Sequence, residues 1–191
     1  MSPQQVDEKT LVHKASQGDK KALGKLYEQY VDDVYRYMLY RTSNQQVAED
    51  LTSEVFASVI TSIENYEERG LPFGAWLFSI AHARLVDHWR KTKPRERKTV
   101  TFSKDVEEFL IGSSPEDRFK YQTLLESLNY LTEAEREVIL LRFAVGLSNQ
   151  EIAAIVPRNS NAVKSMIYRA LKKLRKILSE RREFQEGYTY E

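Results

Sequence analysis

The sequence predicts an all-α protein made of two small helical domains joined by a linker. Apolar residues recur at three- and four-residue spacing along most of the chain. Seven glycines and five prolines in 191 residues leave few breaks, and no alternating runs pair as strands. A polar interval containing Gly, Ser and Pro divides the pattern in two, and the length suits two small domains. The expected division is 1–92, a linker over 93–115, a second domain over 116–182 and a tail over 183–191 with no readable pattern.

In the first domain one helix is expected from Lys20 to Arg41, with Leu23, Leu26, Tyr27, Tyr30, Val34, Tyr37 and Met38 as its inward stripe. A second runs from Asn44 to Tyr66, with Val47, Leu51, Val55, Phe56, Val59 and Ile63 inward. After a turn at Arg69-Gly70-Leu71-Pro72, a third begins near Phe73 and passes Trp89, with Phe73, Trp76, Leu77, Ile80, Ala81 and Leu85 inward. On that spacing Trp76 and Phe78 are core residues, not stacking platforms. Periodicity then fades through Lys93-Pro94-Arg95 to Gly112-Ser113-Ser114-Pro115, with room for short structure around Val106 to Ile111. Helical spacing returns with Leu124, Leu125 and Leu128. Thr132 with Glu135 and Ser148 with Glu151 are two capping boxes, each marking a helix start, and Gly146 stands where a helix C-cap is expected.

Composition narrows the function. There is no cysteine, so disulfides, thiolate zinc sites and a cysteine nucleophile are excluded. No apolar run approaches the roughly 18–20 residues of a membrane span, and Met1 to Gly18 is polar, so a cytosolic location is expected. His82 and His88 are poorly spaced for one helix face and no Gly-rich phosphate loop is present, so neither an enzyme nor a cofactor or metal site is expected. The net charge is only +1, yet it is unevenly spread. Basic residues crowd the intervals Arg84–Lys98 and Arg158–Arg182, while acidic ones collect at Glu49, Asp50 and Glu54 and around Glu64–Glu68.

The second basic interval has the layout of a DNA reader. Ser148 to Ile155 forms a short capped helix, Val156 to Asn159 turns, and Ser160 opens a longer helix, which is helix-turn-helix spacing. On that longer helix Val163, Ile167, Ala170, Leu171 and Leu174 share one side, leaving Asn161, Ser165, Tyr168, Arg169 and Lys172 on the other. A recognition helix needs this division, an apolar back for docking and a polar, basic front for base edges and phosphates.

Both halves carry strings that resemble the sigma-70 superfamily of RNA polymerase sigma factors, specifically its extracytoplasmic-function (ECF, group IV) class. In the first half these are Ala48-Glu49-Asp50-Leu51-Thr52-Ser53-Glu54-Val55-Phe56 and the run from Phe73-Gly74-Ala75-Trp76 to Asp87-His88-Trp89-Arg90, similar to region two. In the second they are Leu131-Thr132-Glu133 through Leu141-Arg142-Phe143, then Gly146-Leu147-Ser148, Glu151-Ile152-Ala153 and Ala162-Val163-Lys164-Ser165, similar to region four. The resemblance implies a region-two bundle that binds the clamp helices of the polymerase core and the minus-ten element. It also implies a region-four domain that binds the flap and the minus-thirty-five element.

Carried over position by position, it implies a polymerase-binding surface at Asp50, Ser53 and Glu54, with serine where the family commonly has glutamine. Tyr66, Arg69, Leu71 and Phe73 fall in the loop that captures a flipped promoter base, with Arg84, Arg90 and Lys91 on the phosphates. Minus-thirty-five contacts fall on Arg142, Asn149, Gln150, Lys164, Ser165, Tyr168 and Arg169. The implied partners are RNA polymerase core, promoter DNA and an anti-sigma factor. The alternative is a helix-turn-helix regulator without sigma activity, for which the acidic helix and basic loop-helix of the first half have no use. The linker leads to the further expectation that the free protein holds its DNA surfaces poorly arranged or masked by an inhibitor, and that polymerase spaces them.

Overall fold

The computed structural model describes residues 7–67, 70–92 and 115–187, with side chains described at 7–67, 70–92 and 122–180. Among the described residues there is no strand, and the helices are α1 (Glu8–Ser16), α2 (Lys20–Thr42), α3 (Gln45–Ser62), α4 (Phe73–Lys91), α5 (Pro115–Leu128), α6 (Glu133–Ile139), α7 (Asn149–Ile155) and α8 (Ser160–Gly187). A 3₁₀ turn, Ile63–Asn65, follows α3, and a π turn, Leu140–Ala144, follows α6. The expected linker over 93–114 and the short structure expected around Val106 to Ile111 lie outside the described residues.

Local chemistry sets the helix ends. Asp19 accepts from the backbone N–H groups of Lys21 and Ala22 at the start of α2, and Asn44 accepts from that of Val47 at the start of α3. Between these helices Ser43 turns the chain with φ 51°, a left-handed conformation uncommon outside glycine and asparagine. Both predicted capping boxes are present, and Gly146 adopts φ 90° before α7. The Thr132 backbone N–H and hydroxyl each donate to Glu135 at 3.0 Å, the Glu135 N–H donates back at 3.3 Å, and Lys173 of α8 reaches the same carboxylate at 2.7 Å. Thr132→Ala is expected to cost about 1 kcal/mol and to lower Tm by about 2–4 °C in a thermal melt followed by circular dichroism.

Most of the predicted stripes are the core. Leu26, Val34, Tyr37 and Met38 of α2, Leu51, Val55 and Val59 of α3, and Leu77, Phe78, Ala81 and Leu85 of α4 are all buried. The structure corrects several expectations. Helix α1 was not expected; only Leu11, Val12 and Ala15 in it are buried, too few to stand out as a period, and its packing on α2 holds it in place. Tyr27 is 47% exposed and lays its ring edge against Phe56 instead of entering the core. On α8 Leu171 is 43% exposed while Met166 is buried, because the docked face centres on Val163, Ile167, Ala170 and Leu174. The α8 backbone is helical through Gly187.

The two halves are packed on each other. Helix α7 lies across α4, the π turn contacts α2, and the buried apolar residues of both halves form one contiguous cluster.

Candidate nucleic-acid and partner interfaces

Helix α3 turns Ala48, Leu51, Thr52, Val55, Phe56 and Val59 inward, and this leaves Asp50, Ser53 and Glu54 exposed together on its outer face. Gln46 donates to Asp50 at 3.2 Å, so that carboxylate is held along the helix surface. Ala57 and Ile60 continue the same face, and Ile60 is 57% exposed.

The loop before α4 is organised by aromatic rings. The Tyr66 hydroxyl donates to the Leu71 carbonyl at 3.3 Å, and its ring sits 5.8 Å from Phe73 and 4.9 Å from Trp76. Phe73 is buried, approaching Tyr30 edge-on at 5.6 Å and Trp76 at 5.5 Å; Leu71 is half-buried. Tyr66, Pro72 and Phe73 line one side of a cavity of about 170 Å³ whose other wall is α1, through Glu8, Val12, His13 and Ser16. Glu8 is fixed there by the Tyr30 hydroxyl. Sequence reasoning missed this wall because α1 carried too weak a period to be recognised. Arg69 lies outside the described residues.

Three cations project from the second half of α4, with Arg90 and Lys91 in its last turn. Arg84 reaches back to α3 and donates to the Ser58 hydroxyl at 3.1 and 2.8 Å. Arg90 is exposed and pairs with Asp87 at 3.2 Å, a solvent-screened contact worth little, and Lys91 is exposed at the end of the helix. Their role is therefore set by position, not by burial.

The helix-turn-helix is formed as expected. Ser148 caps α7, Ile152 anchors it in the core, and Asn159 accepts from Ala162 N–H at 2.8 Å to open α8. Lys164, Ser165, Tyr168 and Arg169 all stand exposed on the α8 front, and Tyr168 is 69% exposed. Gln150 is exposed and Asn149 half-buried at the start of α7. Arg142 is exposed at its side but donates to the Leu147 carbonyl at 2.8 Å, tying the π turn to the approach of α7. A second feature was not anticipated: an apolar groove of about 450 Å³ between α5, the π turn and α8, with Leu124, Phe143 and Leu171 exposed along it and Arg36 and Tyr40 of α2 on one side.

A polar group lies between the halves with no local sign in the sequence. Glu137 of α6 is buried to 5% exposure among residues of the first half. Arg41 of α2 reaches it at 2.9 Å, His82 of α4 at 3.0 Å, and the Tyr37 hydroxyl donates to it at 2.5 Å. Arg41, 2% exposed, also pairs with Glu133 and lies 4.4 Å over the Trp89 ring. Each residue sits at a helical position that in isolation reads as surface or core, and only the packing of the two halves assembles them.

Burial by itself would push the Glu137 carboxyl up, but the Arg41 charge and the hydrogen bonds from His82 and Tyr37 outweigh it and hold the group below the ordinary carboxylate range. Burial, and then the Glu137 charge, raise the Tyr37 phenol well above its ordinary value, so it stays a donor. With the folded value depressed, the Glu137 contribution is complete above an unfolded value of about 4.3 and is lost as pH falls through the folded one. Thermal melts from about pH 5 to pH 3 are expected to show the wild type losing more stability than Glu137→Gln, which has no such group to protonate.

These surfaces belong to a helical protein in which a helix-turn-helix accompanies a separate aromatic loop and basic-ended helix. Comparison with known proteins places it further. The family described as Sigma-70 region 2 matches residues 26–95, and that described as Sigma-70, region 4 matches residues 121–174. The chain is 37% identical over 174 residues to the ECF RNA polymerase sigma factor BldN of Streptomyces coelicolor, covering 89% of this chain and 65% of that one. It is 32% identical over 164 residues to the ECF RNA polymerase sigma factor SigX of Bacillus subtilis, covering 83% of this chain and 84% of that one. In fold it is similar to CnrH, solved in complex with the cytosolic domain of CnrY, with a TM-score of 0.69 at 22% identity over 91% of this chain and 97% of that one. The chain belongs to the sigma-70 family of RNA polymerase sigma factors, in its extracytoplasmic-function class. Its function is that of the family, to direct RNA polymerase core to specific promoters and assist initiation; a regulator without sigma activity is not favoured, since it leaves the region-two match without a role. Among the described residues no helix is long and apolar enough to cross a membrane.

Proposed function

We propose that the chain carries out this function through three surfaces, acting as a non-enzymatic initiation factor in the cytoplasm. The observation that carries the assignment is the separation of chemistries by element. An acidic patch lies on the outer face of α3, aromatic rings gather at the start of α4 with cations along its second half, and a polar, basic front lies on α8.

Asp50, Ser53 and Glu54 receive the clamp helices of the core, where acidic groups steer and register a partner helix. Tyr66, Leu71 and Phe73 supply apolar and aromatic surface for a flipped base of the minus-ten element, with Arg69 of the same sequence stretch in that surface and Arg84, Arg90 and Lys91 further along α4 for phosphates of the strand. Arg142, Asn149, Gln150, Lys164, Ser165, Tyr168 and Arg169 form the minus-thirty-five surface, the longer cations suiting guanine edges or phosphate and the amides suiting adenine. The groove at Leu124, Phe143 and Leu171 takes the polymerase flap, since it offers the apolar docking surface of the second half beside the DNA-reading helix. An anti-sigma factor is a further partner; CnrH, and RpoE with NepR from Bartonella quintana, were each solved with another protein bound.

The test is abortive transcription by core polymerase, with and without the protein, on promoters from the source genome. Initiation that depends on the protein supports the reading, and DNA binding without initiation by a competent core overturns it. Within that assay, Arg169→Ala is expected to cost about 1–3 kcal/mol at one position of the minus-thirty-five element and to relax its sequence preference. Lys164→Ala is expected to weaken binding evenly and to reduce the salt slope by about 1, read by fluorescence anisotropy at several salt concentrations.

A further inference from the structure

The cluster around Glu137 belongs to none of these surfaces, yet it is the most completely buried ionic group among the ion pairs described. Tyr37, Arg41 and His82 come from the first half and Glu137 from the second, so the cluster exists only while the halves are packed, with α7 across α4 and the π turn on α2.

The seated form cannot serve both promoter elements at once. Elements named for positions about 25 base pairs apart are separated by roughly 85 Å at about 3.4 Å per pair. A compact chain of this length has a radius of gyration of about 16 Å. The segment between Thr92 and Pro115 can reach at most about 75–80 Å when extended, enough to let the halves part a long way.

Resting on the sigma-factor reading above, we infer that Glu137, with Arg41, Tyr37 and His82, is the latch of a closed state, and that engagement of the polymerase core requires this latch to release. Closure acts by denying simultaneous reach, not by covering the contacts. Asp50, Glu54, Arg90, Lys91, Lys164 and Arg169 remain exposed in the closed form. It also sets Arg36 and Tyr40 against the groove that takes the flap, a wall that leaves when the halves separate.

The chemistry suits a contact that must open. A buried ion pair is offset by the desolvation of its charges, so separation returns Glu137 and Arg41 to water and recovers that cost. The apolar residues that the two halves share are also exposed on opening, a cost that contacts with polymerase have to offset. While closed, the fixed geometry of carboxylate, guanidinium, imidazole and phenol admits a single register. Loss of the carboxylate charge leaves Arg41 buried with the half-exposed Glu133 as the acid that still pairs with it, which favours the open form.

The experiment compares the full-length wild type with Glu137→Gln by small-angle X-ray scattering of the free protein and by titration against core polymerase. Glu137→Gln is expected to expand the free protein and to tighten its apparent Kd for core roughly tenfold, as the competent fraction rises. Initiation by saturated holoenzyme is expected to be unchanged. A variant as compact as wild type with the same Kd overturns the latch, and expansion without tighter core binding overturns its link to polymerase. If circular dichroism shows Glu137→Gln losing helix, Arg41→Lys replaces it, since lysine keeps the charge but loses the planar guanidinium whose terminal nitrogen lies between Glu133 and Glu137. A folded Arg41→Lys that stays closed with wild-type Kd counts against the proposal. Wild type without initiation activity would instead sink the sigma reading, while scattering still decides whether the latch exists.

Discussion

Replacing Asp50 and Glu54 together by lysine is expected to reduce initiation at least about 100-fold while leaving minus-thirty-five DNA binding by the free protein unchanged. Both carboxylates are exposed on the outer face of α3, so neither change disturbs packing, and Tm is expected to stay close to wild type. The effect comes from the partner. A surface selected to receive acidic groups meets two cations, and like-charge juxtaposition costs several kcal/mol, while each 1.4 kcal/mol is about tenfold in affinity. Core-binding titration and abortive transcription read the two halves of the claim. Normal core affinity in a folded double variant would remove α3 from the polymerase interface.

The largest expected effect on stability lies one layer inward, at Phe78. Its side chain is 1% exposed and meets the Tyr37 ring edge-on at 5.7 Å. Phe78→Ala removes a large buried ring and leaves a cavity that neighbouring helices fill only in part, a loss of about 3–5 kcal/mol. That is a large share of the roughly 5–15 kcal/mol that holds a domain folded. Urea titration followed by circular dichroism measures it directly. Because Phe78 supports the Tyr37 ring whose hydroxyl reaches Glu137, the variant is also expected to be more open than wild type at temperatures where it remains folded. A loss below about 1 kcal/mol would mean that the site collapses readily and that Phe78 is not the keystone its burial suggests.

How far the fold was legible follows the range of each interaction. The stripes of α2, α3 and α4 could be read because burial on one side of a helix repeats every three or four residues whatever lies opposite. Both capping boxes could be read because donor and acceptor are three residues apart. Helix α1 escaped because nine residues with three buried positions carry little period. Tyr27 and Leu171 were misplaced at the edges of real stripes, where the width of the buried face depends on the neighbour. The exposed front of α8 and the outer face of α3 were found from residue type and spacing, with the family resemblance supplying their roles.

The sequence alone determined the helical class, the helix-turn-helix, the acidic face of α3, the basic end of α4 and the family, because each is written in residues close together along the chain. The tertiary structure decided that the two halves share one buried cluster, that α1 walls the cavity beside Tyr66, and that Glu137 meets Arg41, Tyr37 and His82. Those contacts join residues 55 to 100 positions apart. No local period records such a meeting; it exists only once whole helices have packed, when a charge that reads as solvated becomes buried and must find its partners.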